Sequence, residues 1–205
     1  MVLPRLTGPE RRESIIEKAI ELFSQYGFRG TTTRELAAAC GVSEPTLYQH
    51  FPSKSDLYAA IIDSVAGSGI SFEQIDEQLR PFLIRRDDAG YFRTLLSMML
   101  DFYEQNPNFI RLRHFSSLEG HDLSHMFFER MSREFCGLFI SYLTLRKDEG
   151  GFRSLDPNAV ASLMIGAVDH YGLHFLVFHH PLKQAPEREE FLNEVVRTVI
   201  EGVRA

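Results

Sequence analysis

Apolar residues recur three and four positions apart along most of the chain, the repeat of helices with one buried face. Ile15, Ile16, Ala19, Ile20 and Phe23 set the first such face, from about residue 10 to Tyr26, and Gly27 is a natural stop. Thr32-Thr33-Arg34-Glu35 fits a capping box, in which a hydroxyl and a carboxylate satisfy each other's orphan backbone N–H groups. It opens a short helix that buries Leu36, Ala37 and Cys40 and ends at Gly41. Ser43 is a good N-cap for the next helix, with Pro45 tolerated in its first turn. Phe51-Pro52 closes that helix, because the residue before a proline resists helical geometry. A second box, Ser53-Lys54-Ser55-Asp56, starts a longer helix carrying Leu57, Tyr58, Ile61, Ile62 and Val65. Further helices are predicted near 54–67, 71–84, 88–105, 107–118, 122–149, 157–179 and 187–203, punctuated by Asn106-Pro107, Gly120, Gly150-Gly151, Asp156-Pro157 and Pro181. The expected fold class is all-α.

Two short helices joined by Gly-Val-Ser, with a longer helix on each side, make a helix-turn-helix pattern, whose second short helix enters a DNA major groove. Leu47 and Phe51, four apart, would hold that helix to its bundle. Pro45, Thr46, Tyr48, Gln49 and His50 are left facing outward.

The chain carries 22 Lys and Arg against 28 Asp and Glu, a net charge of −6, which at first sight opposes a nucleic-acid partner. The imbalance is local: residues 1–60 hold 7 of each sign, and the whole excess lies beyond residue 60. Cys40 and Cys136 each sit in an apolar periodic stretch and read as packed thiols. The N-terminus lacks the apolar core of a signal peptide. Apolar runs are broken by His, Asp or Gly well before the roughly 20 residues of a membrane span, so no membrane contact and a cytoplasmic location are expected.

The segment TTTRELAAACGVSEPTLYQHFPSKSDLY, with the preceding IIEKAIELFSQYGFRGTT, resembles the DNA-binding segment of the TetR/AcrR family of transcriptional regulators over roughly residues 10–60. The resemblance implies an N-terminal three-helix helix-turn-helix domain, residues 1–55, and a larger helical ligand-binding and dimerisation domain, residues 56–205. It places Thr33 and Arg34 on backbone phosphate or an adjacent base. It places Glu44, Pro45, Thr46 and Gln49 toward base edges, and Tyr48, His50 and Lys54 on phosphates. Residues 31–54 are neutral, with Arg34 and Lys54 balanced by Glu35 and Glu44. Affinity would therefore lean on dimerisation, on neutral donors and on an arm carrying Arg5, Arg11 and Arg12.

Fourteen of the 17 phenylalanines lie after residue 70. By the resemblance, a small apolar or aromatic effector would bind among Met98, Phe102, Phe109, Phe115, His121, Phe128 and His170. The same stripes at helical spacing also suit plain core. The helices near 157–179 and 187–203 would complete a four-helix bundle with a second subunit, through Ala161, Ile165, Val168 and Leu176 and through Phe191, Val195, Val199 and Val203. Small Gly166 and Gly172 would permit close approach there.

His121/His125 and His170/His174 are i, i+4 pairs able to present two rings to one metal, and they define the alternative of a metal-responsive regulator. A closed site needs more ligands, and no CxxC or Cys/His cluster supplies them. No metal site and no cofactor is expected. Neither a nucleophile with its base, nor a phosphate loop, nor a paired-carboxylate motif points to an enzyme. The expectation is a DNA-binding regulator, a homodimeric repressor on a palindromic double-stranded operator, released by a small-molecule effector.

Overall fold

The computed structural model describes residues 6–68, 71–120, 125, 126, 128–179 and 186–205. Among these the chain is helical, with no strand. The order is α1 Gly8–Gly30, α2 Thr33–Ala39, α3 Glu44–His50, α4 Lys54–Ser68, α5 Phe72–Arg85, α6 Asp88–Gln105, α7 Pro107–Leu118, α8 Arg133–Asp148, α9 Pro157–Tyr171 and α10 Arg188–Val203. Single π-helical stretches precede α8 at Phe128–Ser132 and follow α9 at Gly172–Val177. The all-α expectation holds. The region expected to begin a helix at 122 lies partly outside the described residues.

The chain forms two compact units, residues 1–69 with 108–131, and residues 70–107 with 132–205. In the first, the periodic face of α1 buries Ile15, Ile16, Ala19 and Phe23. Leu36 and Ala37 of α2, Leu47 of α3 and Leu57, Tyr58, Ile61 and Ile62 of α4 are also buried in this unit. α1 starts earlier than the apolar repeat alone suggests, because Thr7 and Glu10 form a complete capping box. Its regular part ends at Gly27, whose φ of 72° and ψ of 173° are non-helical. Only glycine enters that region without strain.

The second unit packs α5, α6, α8, α9 and α10 around Phe92, Leu95, Leu96, Leu100, Phe139, Leu143, Met164 and Leu192. Tyr91 stacks on Tyr142 with ring centres 3.8 Å apart. At the start of α6, the Asp88 carboxylate accepts from the Tyr142 hydroxyl at 2.9 Å and from Arg146 Nε at 2.7 Å. Desolvation on burial, reinforced by that carboxylate, pushes the Tyr142 phenol well above its ordinary value.

One expectation is corrected. The stretch Pro157–Val177 has a mean hydropathy of 1.3 over a membrane-length window, so it is long and apolar enough to span a bilayer. Asp169, His170 and His174 interrupt the run without outweighing its Ala, Val, Leu and Ile content. The apolar side of this helix has a protein partner: Ala161, Met164 and Val168 are buried in the second unit's core.

Candidate nucleic-acid interface

The turn between α2 and α3 is built by Gly41, whose φ is 64°. Its N–H donates to Ala38 O, and the N–H of Val42 reaches back to Ala37 O, so the last carbonyls of α2 are satisfied as the chain reverses. Both short helices have side-chain caps. Thr32 accepts from Glu35 N at 3.2 Å, while the Glu35 carboxylate accepts from Thr32 N at 2.8 Å. The bonds that its carboxylate accepts from Thr32 N and Thr32 Oγ1 hold the Glu35 carboxyl below its ordinary pKa. Ser43 Oγ accepts from Thr46 N at 3.2 Å and bonds the Thr46 hydroxyl at 2.8 Å. A seven-residue helix is too short to persist alone, so caps and tertiary packing must hold it.

Leu47 is the only buried residue within α3, and Phe51 is buried just beyond its end. On the other side Pro45, Tyr48 and Gln49 are exposed, with Glu44, Thr46 and His50 intermediate. Tyr48 keeps 45% of its surface accessible. In α2, Arg34 is exposed and Thr33 is intermediate. Thr33 Oγ1 donates to Glu44 Oε2 at 3.1 Å and ties the starts of the two short helices together. Glu44 is thus a tether within the motif. Thr33, Tyr48 and Lys54 all line a cleft of about 10 Å³, room for one water molecule. Arg11 and Arg12, expected in an N-terminal arm, lie inside α1 because the helix already starts at Gly8; the Arg12 guanidinium sits 4.8 Å from the Phe51 ring centre, and Arg5 lies outside the described residues.

Lys54, expected on a phosphate, has partners within the chain. Its ammonium donates to the carbonyls of Phe28 and Thr31 and lies 4.2 Å from the Phe28 ring centre. Burial lowers its pKa. Sequence reasoning also missed Glu119, whose Oε1 accepts from Arg29 N at 3.3 Å. Nothing local in the sequence signals that contact, although Gly27 marks the bend that makes room for it.

The expected effector residues fall in both units. Phe109, Phe115 and Phe128 belong to the first, Met98, Phe102 and His170 to the second. Phe109 is buried, Met98 packs on the second unit's core, and Phe128 and His170 are exposed. His121 lies outside the described residues. A cavity of about 250 Å³ lies elsewhere, between α6 and α10, and includes Arg93, Arg197 and Arg204 in its lining. His170 and His174 have ring centres 4.3 Å apart. No group of three or more metal-ligating side chains occurs among the described residues.

Two helix faces need correction. Ala161, Val168, Val199 and Val203, expected at a subunit interface, are buried inside their own unit. Gly172 packs against Tyr103 of the same unit, leaving no room for a side chain. The open side of α9 carries Ala159, Leu163, Gly166 and His170 instead. The physical reason is that α9 is apolar nearly all round, so periodicity does not tell which side turns inward.

The sequence profile of bacterial regulatory proteins of the tetR family matches residues 15–61, from the buried face of α1 into α4. The nucleoid occlusion factor SlmA of Aliivibrio fischeri strain MJ11 is 31% identical over 176 residues, covering 82% of this chain and 84% of its own. The chain belongs to the TetR family. It is therefore a DNA-binding regulator, with α2 and α3 as its helix-turn-helix. Two solved structures share the fold over nearly the whole chain. The TetR family regulator PfmR of Thermus thermophilus superposes with a TM-score of 0.69 at 18% identity, over 98% of this chain and 100% of its own. AibR, solved with isovaleryl coenzyme A and operator DNA, gives 0.64 at 19% identity, over 92% and 97%.

Proposed function

We propose that the protein is a homodimeric, ligand-responsive transcriptional repressor that reads a palindromic operator with the outer face of α3. The observation that carries this reading is the division of α3: Leu47 is buried, while Pro45, Tyr48 and Gln49 face solvent beside exposed Arg34. Gln49 offers the donor–acceptor pair that matches an adenine edge, and the Tyr48 hydroxyl and the His50 ring suit phosphate oxygens. Thr46 contributes to bases after its hydroxyl leaves Ser43. Residues 1–55 supply the DNA-reading function, and residues 56–205 supply the effector site and the subunit contact.

The second subunit docks on the open side of α9, through Leu163, Gly166 and His170, where small residues let two helices approach closely. The effector is a small apolar or aromatic molecule received by the phenylalanine-rich helices. That AibR was solved with an acyl coenzyme A makes acyl thioesters the first compounds to try. A second reading draws on the relative at 31% identity, a nucleoid occlusion factor. Under it, the chain acts from many chromosomal sites, not from one promoter.

Chromatin occupancy separates the two: one or a few promoters support the repressor, and dozens of dispersed sites support the second reading. In vitro, the selected duplex should be bound with an affinity that falls steeply with salt. Gln49→Ala should alter sequence preference by roughly 1–3 kcal/mol at one base pair per half-site. Equal binding of selected and scrambled duplexes by the wild-type protein would refute sequence-specific reading.

A further inference from the structure

α2 and α3 hang between two points of the chain, Thr31 just before the N-cap of α2 and Lys54 at the first residue of α4. Lys54 joins these points. Its Nζ donates to Thr31 O at 2.5 Å and also to Phe28 O, with the Phe28 ring on a further side. An ammonium has three N–H donors, so two of the three are already taken by carbonyls. The accepting stretch is itself fixed. Thr31 Oγ1 donates to Gly27 O at 3.0 Å, across the bend that positive φ at Gly27 creates. From the end of α7, the Glu119 carboxylate enters the space beside Gly27 and accepts from Arg29 N. Its second oxygen, Oε2, is buried without a hydrogen-bond partner. A buried carboxylate oxygen of this kind requires compensation, and the Glu119 charge acts favourably on the Lys54 ammonium.

We propose that Lys54 and Glu119 are positioning residues for the recognition helix. Lys54 closes the base of the helix-turn-helix, and Glu119 fixes the stretch of carbonyls to which it is closed. The proposal rests on α3 being the DNA-reading helix. Its physical logic concerns angle. Leu47 and Phe51 anchor α3 along one line of contact and the Thr33–Glu44 bond ties its start to α2, so the angle at its far end depends on how the chain is held beyond Phe51. Hydrogen bonds to base edges fall off steeply with misalignment, whereas contacts to phosphates tolerate it. Loosening the base should therefore reduce discrimination between sequences more than it reduces binding itself.

The experiment uses the full chain and two duplexes, one selected from a random pool by the wild-type protein and one scrambled. Affinities for both are measured by fluorescence anisotropy over a range of potassium chloride, for wild type, Lys54→Met, Glu119→Gln and Gln49→Ala. Lys54→Met should lose about tenfold on the selected duplex, the scale of one good base contact, and under about threefold on the scrambled one. The slope of log affinity against log salt should stay as in wild type. Glu119→Gln should change discrimination in the same direction. A slope flatter by about 0.9, with both duplexes weakened together, would make Lys54 a phosphate contact and overturn the proposal. A lowered melting temperature with discrimination intact would reduce both residues to general stability and overturn it as well. If Gln49→Ala leaves discrimination unchanged, the assignment of α3 itself fails, and that result is legible separately from the Lys54 arm.

Discussion

Replacing Gly27 with alanine should destabilise the first unit by an amount that the geometry sets. The residue sits at φ 72° and ψ 173°, a region open essentially to glycine alone, and forcing a side chain there costs about 1–3 kcal/mol. The new Cβ would also lie 2.5 Å from Glu119 Oε1 and 3.4 Å from Phe115 Cδ1. The carboxylate is the far end of a flexible side chain and can retreat. In doing so it forfeits its bond from Arg29 N, worth about 1 kcal/mol. The sum is about 2–4 kcal/mol. With a urea slope of about 2 kcal/mol per molar, the middle of the usual range, the unfolding midpoint should fall by about 1–2 M. Gly67→Ala is the matched control. It lies in α4 with open space around its would-be Cβ, and it should be neutral or stabilising by up to about 1 kcal/mol. The assay is urea unfolding followed by far-UV circular dichroism, with hydrogen exchange at Thr31 and Leu36 to place the change in the first unit. A midpoint shift below about 0.3 M would mean that Gly27 is not held in this conformation, and the bend beside Glu119 would lose its basis.

Three further predictions concern assembly, core packing and acid. Leu163→Glu should give a folded monomer by light scattering with weakened operator binding, because Leu163 is 65% exposed on the open side of α9. Val199→Asp should instead unfold the second unit, since it puts a carboxylate into an apolar cluster; a folded Val199→Asp monomer would contradict the core assignment. The Glu35 carboxyl has a depressed pKa in the folded chain, so its cap is fully present above the ordinary value of 4.5 and is lost as pH falls through the folded value. Melting temperatures of wild type and Glu35→Gln should therefore differ above about pH 5 and converge as pH falls further, and a constant gap across that range would refute the assignment.

The helices and their limits were legible because the signals are local. The capping box at Thr32 and the N-cap at Ser43 sit where the sequence places them, as does the stop at Gly41. The two-sided character of α3 was legible for the same reason, since Leu47 and Phe51 differ so plainly from their neighbours. The bonding of Lys54 was not. Its acceptors are backbone carbonyls 23 and 26 residues away, and carbonyls leave no mark in a sequence. Glu119 reaches Arg29 across 90 residues, beyond any periodicity argument. The inward side of α9 was misread at Ala161 and Val168 because an apolar helix offers periodicity no contrast. Leu163 and Met164 look alike in sequence, yet one is open and the other fully buried.

α3 also bears on how such a protein changes over generations. Of its seven residues only Leu47 is buried, and its cap is supplied from outside by Ser43. On the proposed reading, substitutions at the exposed Tyr48 and Gln49 would therefore fall mainly on recognition and little on folding. A duplicated copy could drift to a new operator through these positions without passing through unstable intermediates. Gly27 and Glu119 have no such freedom, because the Glu119 carboxylate fills the space beside Gly27, and Lys54 is held by the carbonyls of Phe28 and Thr31. On the proposed reading, the motif would couple an alterable reading surface to an inflexible mount, an arrangement in which target sequences can diversify while the architecture stays put.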